Sequence, residues 1–379
     1  MSDLVELASQ LVAIESINPD VVAGGSGELE LARFVAGWCE RAGLDTRLDE
    51  LRPGRANVVA TARGSGGGRS LMLNAHMDTV GVAGMTDPFL PRLENGRLYG
   101  RGAQDMKGSL AACMLATAEA GRRGLRGDVL LTAVADEEFA SIGTEAVARS
   151  VRADAAIVTE PTELRVAVAH RGFVHLEVEV HGRAAHGSRP DLGIDAIAKA
   201  GRVLVGIEEL DRRLRAGTPH PWLGTGSVHA SLIEGGQEFS SYPARCLIQA
   251  ERRTLPGETR DHAEAELREI VAGAGAGEGD PDFRADVRAP ISREPFEVDE
   301  GAEIVAVVRR HTAAVLRAAP ELAGVPFWAD SALLAEAGIP TVLFGPSGEG
   351  LHSEVEWVDV ASLERCREVY LRVALELCG

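Results

Sequence analysis

The sequence predicts an α/β fold: a mostly parallel sheet with helices on both faces, interrupted by an inserted α+β segment. Two observations carry this. Short aliphatic and β-branched runs alternate with helical stretches at both ends of the chain, and in the middle the pattern changes to apolar and polar residues in strict alternation. A length of 379 residues also suits two domains better than one.

Taken in order, RSLMLNAH reads as a strand, MKGSLAACMLATAEAGRRG as a helix, DVLLTAVADEE as a strand, SIGTEAVARSV as a helix and DAAIVTE as a strand. The period-two run FVHLEVEVHG then opens a segment ordered strand, helix, two strands, helix, predicting a small antiparallel sheet backed by helices. The α/β texture returns with the helix GAEIVAVVRRHTAAVLRAA, the strand TVLFG and the closing helix VASLERCREVYLRVALEL. The boundaries follow as residues 1–170 and 289–379 for one domain and 171–288 for the insertion. Glycine-rich stretches at 64–68 and 272–279 read as surface loops, and no internal repeat is visible.

Composition excludes several classes of function. A formal charge of −18 opposes binding to a polyanion, and Lys and Arg are not clustered, so nucleic acid is not an expected partner. No apolar run approaches the length of a membrane span, and the N-terminus lacks the basic and apolar regions of a signal peptide. A protein of the cytoplasm, without a membrane partner, is expected. Five scattered cysteines, odd in number and without CxxC spacing, read as reduced thiols.

The chemistry lies where apolar strands end. LMLNAHMDTV delivers His76 and Asp78 on one face at a carboxyl end, where open α/β sheets place their ligands. A histidine followed two residues later by a carboxylate fits a metal ligand with its orienting acid, although a lone histidine is more often only hydrogen-bonded. Asp105, in GRGAQDMKGS, sits just before a helix, where capping is the ordinary task of such a residue. The neighbouring glycines are not a dinucleotide fingerprint, because Asp105 stands where the third glycine belongs; nor does Lys107 complete a phosphate loop.

DVLLTAVADEE brings Asp136, Glu137 and Glu138 to a strand mouth, either as surface acids or as tuned, metal-binding ones. Glu160 ends the next strand before Pro161, His186 lies in the insertion, and His352 follows TVLFG in a glycine-rich loop. Each alone is unremarkable. Their repetition at one side of one predicted sheet is what the bland readings leave unexplained. One aspartate, two glutamates and a hydroxide carry four negative charges, which balance two divalent ions, and two neutral histidines complete a zinc-like donor set.

Over nearly its whole length the chain resembles the family of co-catalytic zinc hydrolases that includes acetylornithine deacetylase, succinyl-diaminopimelate desuccinylase, aminoacylase and carboxypeptidase G. The resemblance rests on HMDTV, GRGAQDMKGS, ADEE, TEPT, AAHGSRPDLGIDAI, ERRTLPGE, GIPTVLFGP and EGLHSEVEWV, in the family's order. It implies a zinc-peptidase-like catalytic domain and an inserted lid or dimerisation domain. It further implies two divalent ions (zinc, with cobalt or manganese as alternatives), one held by His76 and Glu160, the other by Glu138 and His352, with Asp105 shared. Asp78 would orient His76, Glu137 would act as general base, and His186 would stabilise an oxyanion, in this family often from the partner subunit of a homodimer.

Arg253 falls where the family has an arginine for a substrate carboxylate. Ser240 replaces a usual asparagine three residues before Pro243, and Phe139 and Ala140 follow the acidic motif where a glycine is common. The implied activity is hydrolysis of the amide bond of an N-acyl amino acid or small peptide, with a dipeptidase or carboxypeptidase, or a non-catalytic amino-acid-binding protein of the same fold, as alternatives.

Overall fold

A computed structural model describes residues 2–276 and 279–379. The chain divides into two compact units, one formed by the N-terminal part through Val168 together with Val298–Ala323 and Ala329–Gly379, the other by Ala169–Glu297 and Gly324–Trp328.

The sheet of the first unit contains β1 (Asp45–Arg52), β2 (Arg55–Ala62), β3 (Leu71–His76), β4 (Val129–Val134), β5 (Ala155–Val158) and β6 (Val166–His170). A further strand, Thr341–Leu343, lies between β5 and β6, giving the order β1, β2, β4, β3, β5, 341–343, β6. The four central strands are parallel. They are buried from end to end, which explains their nearly continuous aliphatic sequences.

Antiparallel strands flank this centre on both sides. The β1–β2 hairpin escapes the sequence reading because β1, DTRLDELR, is polar and half-exposed, as an edge strand is. Helix Gly108–Gly121 packs on the sheet together with helix Val360–Leu377, while Ile142–Ser150 and Ser331–Glu336 form a second helical group.

In the second unit β7 (Gly172–His181) pairs with β8 (Arg245–Thr254) on one side and with Arg284–Arg293 on the other, and Ser227–Gly235 extends the sheet along the free side of β8. Alternate residues Val174, Leu176, Val178 and Val180 are buried against helices Ala196–Arg215 and Arg260–Ala276, so period two in the sequence becomes one wet and one dry face. The boundary expected at Arg288 falls inside strand Arg284–Arg293, whose arginine-rich sequence hides its pairing with β7. Residues 272–276, read as loop, instead continue helix Arg260–Ala276, because alanine offsets the helix cost of the glycines; residues 277–278 of that stretch lie outside the described residues.

Ile248 is fully buried at the middle of β8. Its replacement by alanine is expected to destabilise the fold by about 2–5 kcal/mol, read as a lower midpoint in denaturant unfolding.

Candidate active site

The parallel strands end together. His76 closes β3 in register with Val134 of β4, and Asn74 of β3 faces Val158 of β5, so the segments leaving β3, β4 and β5 emerge on one side. These segments carry Asp78, then Asp136, Glu137 and Glu138, then Glu160.

Asp105 lies in a single irregular turn, Ala103–Lys107, with non-helical backbone angles at Asp105 and Met106. The capping role that its position suggests is not what the structure shows: the following helix begins at Gly108 with no side-chain cap. Instead its two carboxylate oxygens diverge. Oδ1 lies 2.9 Å from His76 Nε2, and Oδ2 lies 3.4 Å from His352 Nε2. On the first side, Glu160 Oε1 stands 3.8 Å from His76 Nε2; on the second, Glu138 Oε2 stands 3.1 Å from His352 Nε2. Ligand atoms of His76, Asp105 and Glu138 lie within 4.8 Å of one another, and so do those of His76, Glu137 and Glu160.

The electrostatics of this bowl are those of too much negative charge in too little water. Burial works against ionisation of Asp105, yet hydrogen bonds with His352 and His76 hold its carboxyl below the usual range. Burial drives Glu137 and Glu160 well above theirs, aided at Glu137 by the charge of Glu160 and at Glu160 by that of Asp105. Burial also raises Glu138, whose Oε1 is buried with no hydrogen-bond partner among the described residues. Hydrogen bonds with Asp105 and Glu138 raise His352 to about 10. Burial disfavours charge on His76, but its carboxylate partners lift it well above its ordinary value. An orphaned carboxylate oxygen, an aspartate aimed at two histidines and an all-nitrogen-and-oxygen donor set fit a pair of divalent ions such as zinc, cobalt or manganese.

Asp78 meets His76 through two atoms: its main-chain carbonyl accepts from Nδ1 at 2.9 Å, and its carboxylate lies 3.6 Å from the same nitrogen. That carboxylate accepts from the backbone N–H groups of Glu137 and Glu138, both at 3.1 Å, and from Asn18 Nδ2 at 2.8 Å. It therefore holds the acidic segment in place.

Asp136, in the left-handed region with φ 71°, turns the chain away from β4. It accepts from Asn18 Nδ2 and from Arg55 Nη2, and its N–H donates to Glu28. Arg55 grips Glu28 through two nitrogens at 2.7 and 2.8 Å. The sequence reading missed Asn18, Glu28 and Arg55, because their partners lie far along the chain and each stands among polar or glycine neighbours that give it no local distinction.

His186, Ser240 and Arg253 all belong to the second unit. His186 and Ser240 are close, for Gly187 N donates to Ser240 O at 2.7 Å and His186 pairs with Ser241 as an isolated bridge. Arg253 is not with them. It faces Phe173 at one end of β8, whereas His181, which leads to His186, faces Arg245 at the other. Eight residues of strand separate those ends, about 26 Å at the usual rise. Arg253 Nε donates to Glu251 at 2.6 Å, and its guanidinium lies over the Phe173 ring. Phe139, at the departure from the family pattern, is exposed.

Acids and histidines gathered at the ends of parallel strands, in a donor set made for divalent cations, define a metal-dependent hydrolase of amide or peptide bonds. The chain belongs to the peptidase family M20/M25/M40, whose sequence model matches residues 72–376. It is 32% identical to an acetylornithine deacetylase of Myxococcus xanthus over 98% of this chain and 96% of that protein. It is 26% identical to an N-formyl-4-amino-5-aminomethyl-2-methylpyrimidine deformylase of Halalkalibacterium halodurans over 99% of this chain and 94% of that protein. Its fold matches the M20 family metallo-carboxypeptidase Sso-CP2 from Sulfolobus solfataricus with a TM-score of 0.81 and 18% identity, covering 100% of this chain and 99% of that one.

Two outcomes are expected. Because Glu137 and Glu160 keep protons above the ordinary 4.5, and His76 above 6.5, the metal-free fold binds more protons than the unfolded chain. Its melting temperature should therefore fall as pH rises from 4.5 towards the value of about 10 at His352. Added divalent ions should offset that fall most at high pH, where they replace protons. Thermal melts with and without chelator measure both; a rise across this window contradicts the charge arrangement. Separately, Arg55→Met strands the buried carboxylates of Glu28 and Asp136 and should cost about 3–5 kcal/mol in denaturant unfolding.

Proposed function

We propose that this protein hydrolyses the amide bond of an N-acyl amino acid, in the manner of an acetylornithine deacetylase, using two zinc ions held by His76, Asp105, Glu138, Glu160 and His352. The observation that carries the reading is the divergence of the Asp105 oxygens towards two histidines, each of which has a glutamate beside it. The likeness to the Myxococcus xanthus deacetylase over almost the full length supports the substrate class.

When bound, the ions polarise the scissile carbonyl and make water a stronger acid. Glu137 performs the proton transfers. Its carboxylate accepts a proton from the water that attacks the acyl carbon, and it returns that proton to the amine nitrogen as the C–N bond breaks. In the metal-free site, burial and the neighbouring charge of Glu160 raise its proton affinity. Asp78 fixes the backbone from which Glu137 projects, so the base approaches from a set direction.

In this reading Arg253 binds the substrate carboxylate, and His186 with Ser240 donates to the oxyanion or its neighbours. The length of β8 separates Arg253 from His186 and Ser240, which supports their serving different copies of the site in a homodimer. An edge strand, Ser227–Gly235, with exposed Leu232 and Ile233 supplies a surface for such pairing. A cytoplasmic setting agrees with five cysteines that are all buried and free. Among the described residues no helix is long and apolar enough to cross a membrane.

Glu137→Ala should retain both ions by elemental analysis and lose turnover on N-acetyl, N-formyl or N-succinyl amino acids by at least about a hundred-fold. Unchanged turnover would remove Glu137 from the mechanism, and a wild-type protein active only on dipeptides in the same panel would replace the deacylase with a peptidase. Mixing Glu137→Ala with His186→Ala subunits should restore activity that neither has alone, since one site of the mixed dimer is then complete. No recovery would assign His186 to its own subunit's site or to none.

A further inference from the structure

We infer that Glu356, acting with Arg101, is the positioning residue that aims Asp105 and His352 at the same point. This rests on the ligand set proposed above and goes beyond it, since neither residue touches substrate or is among the ligands. The two proposed ligands stand on separate segments almost 250 residues apart in sequence, and one ion pair ties both down.

The Glu356 carboxylate is wholly buried and fully used. Its Oε1 accepts from the backbone N–H groups of Gln104 at 2.9 Å and Asp105 at 3.1 Å. Its Oε2 accepts from Gly102 N at 3.0 Å and from Arg101 Nη1 at 2.6 Å. One carboxylate thus fixes the irregular turn that presents Asp105, whose own main-chain bonds, Lys107 N to Gly102 O and Gly108 N to Ala103 O, leave the N–H groups of Gln104 and Asp105 to Glu356. Arg101 spends its remaining nitrogens on neighbouring loops. Nε donates to Gly81 O and Nη2 to Ser353 O, both at 3.0 Å.

Ser353 adjoins His352, whose side chain is 54% exposed and whose backbone has φ 59°. A histidine in the left-handed region on an open loop needs its backbone held if its ring is to meet Asp105 and Glu138, and the anchorage at Ser353 and Glu356 supplies that. Glu356 also stands at the start of strand Trp357–Asp359, which pairs with Arg97–Tyr99, so both loops leave from one small sheet. Each residue type is required. A glutamine at 356 would turn a donor towards two donors, and a lysine at 101 could not reach three acceptors in one plane.

The test uses full-length Glu356→Gln and Arg101→Lys proteins, stripped of metal and titrated with cobalt(II) by calorimetry and visible absorption. Both variants should fold, bind ions about ten- to a hundred-fold more weakly, and give a changed cobalt spectrum, with kcat falling more than KM. Wild-type affinity and spectrum in either folded variant would overturn the inference, as would a lower melting temperature with unchanged affinity, which marks a merely structural pair. If Glu356→Gln fails to fold, Arg101→Lys decides. A wild-type protein that binds no pair of ions would instead refute the ligand set and the inference together.

Discussion

Carboxylates buried side by side at the mouths of apolar strands are the constraint on which the rest of this molecule depends. Asp78, Asp105, Asp136, Glu137, Glu138, Glu160 and Glu356 are withdrawn from water within a short reach of one another. Charges so placed repel and cannot be solvated, so each needs a donor or a cation. The protein answers in two ways. Asp78, Asp136 and Glu356 are saturated by backbone N–H groups, an asparagine and guanidinium groups. Asp105, Glu138 and Glu160 face histidines and other carboxylates, and among the described residues Glu138 keeps an oxygen with no partner. Satisfaction therefore sorts anchors from ligands more sharply than burial does.

This division explains what could be read in the sequence. Three of the proposed ligands and the proposed base sit at strand ends, so an aliphatic run broken by His76, by Glu137 and Glu138, or by Glu160 announces them. The parallel sheet is legible for the same reason, since strands buried on both faces are continuous aliphatic runs. The anchors are not legible. Glu356 hides in VEWV, where nothing local shows that its partners are backbone groups of a turn some 250 residues earlier. Asn18 lies in an N-terminal loop whose purpose appears only when Asp78 and Asp136 are seen on either side of its amide. The main-chain carbonyl of Asp78 that bonds His76 is hidden too, because a carbonyl is invisible to any argument from side-chain type.

In the second unit, alternation predicted three of the long strands well, and Arg284–Arg293 is missed because Pro290 and the small Ala285 and Ala289 blur its alternation. Its wet face is a ladder of cross-strand pairs, among them Glu177 with Arg288 and His181 with Asp286. Such pairs contribute little to stability but fix which residues stand opposite. Register is what this sheet must keep, because a slip by one residue would turn Arg253 from the wet face, where it meets Phe173, to the dry one.

The cluster of Glu28, Arg55 and Asp136 shows why the anchors are ionic at all. Apolar residues of similar volume would avoid the cost of desolvating three charges, and on stability alone they would serve as well or better. They could not do what the geometry demands. Asp136 occupies a left-handed turn immediately before the base and a ligand, and packing alone tolerates several backbone directions there. A planar guanidinium bonded to both Glu28 and Asp136 permits one. The same reasoning applies to Arg101 and Glu356. Two buried ion pairs, one beside the segment of Glu137 and Glu138 and one behind Asp105 and His352, convert a concentration of repelling charges into a fixed arrangement, and direction rather than stability is what they contribute.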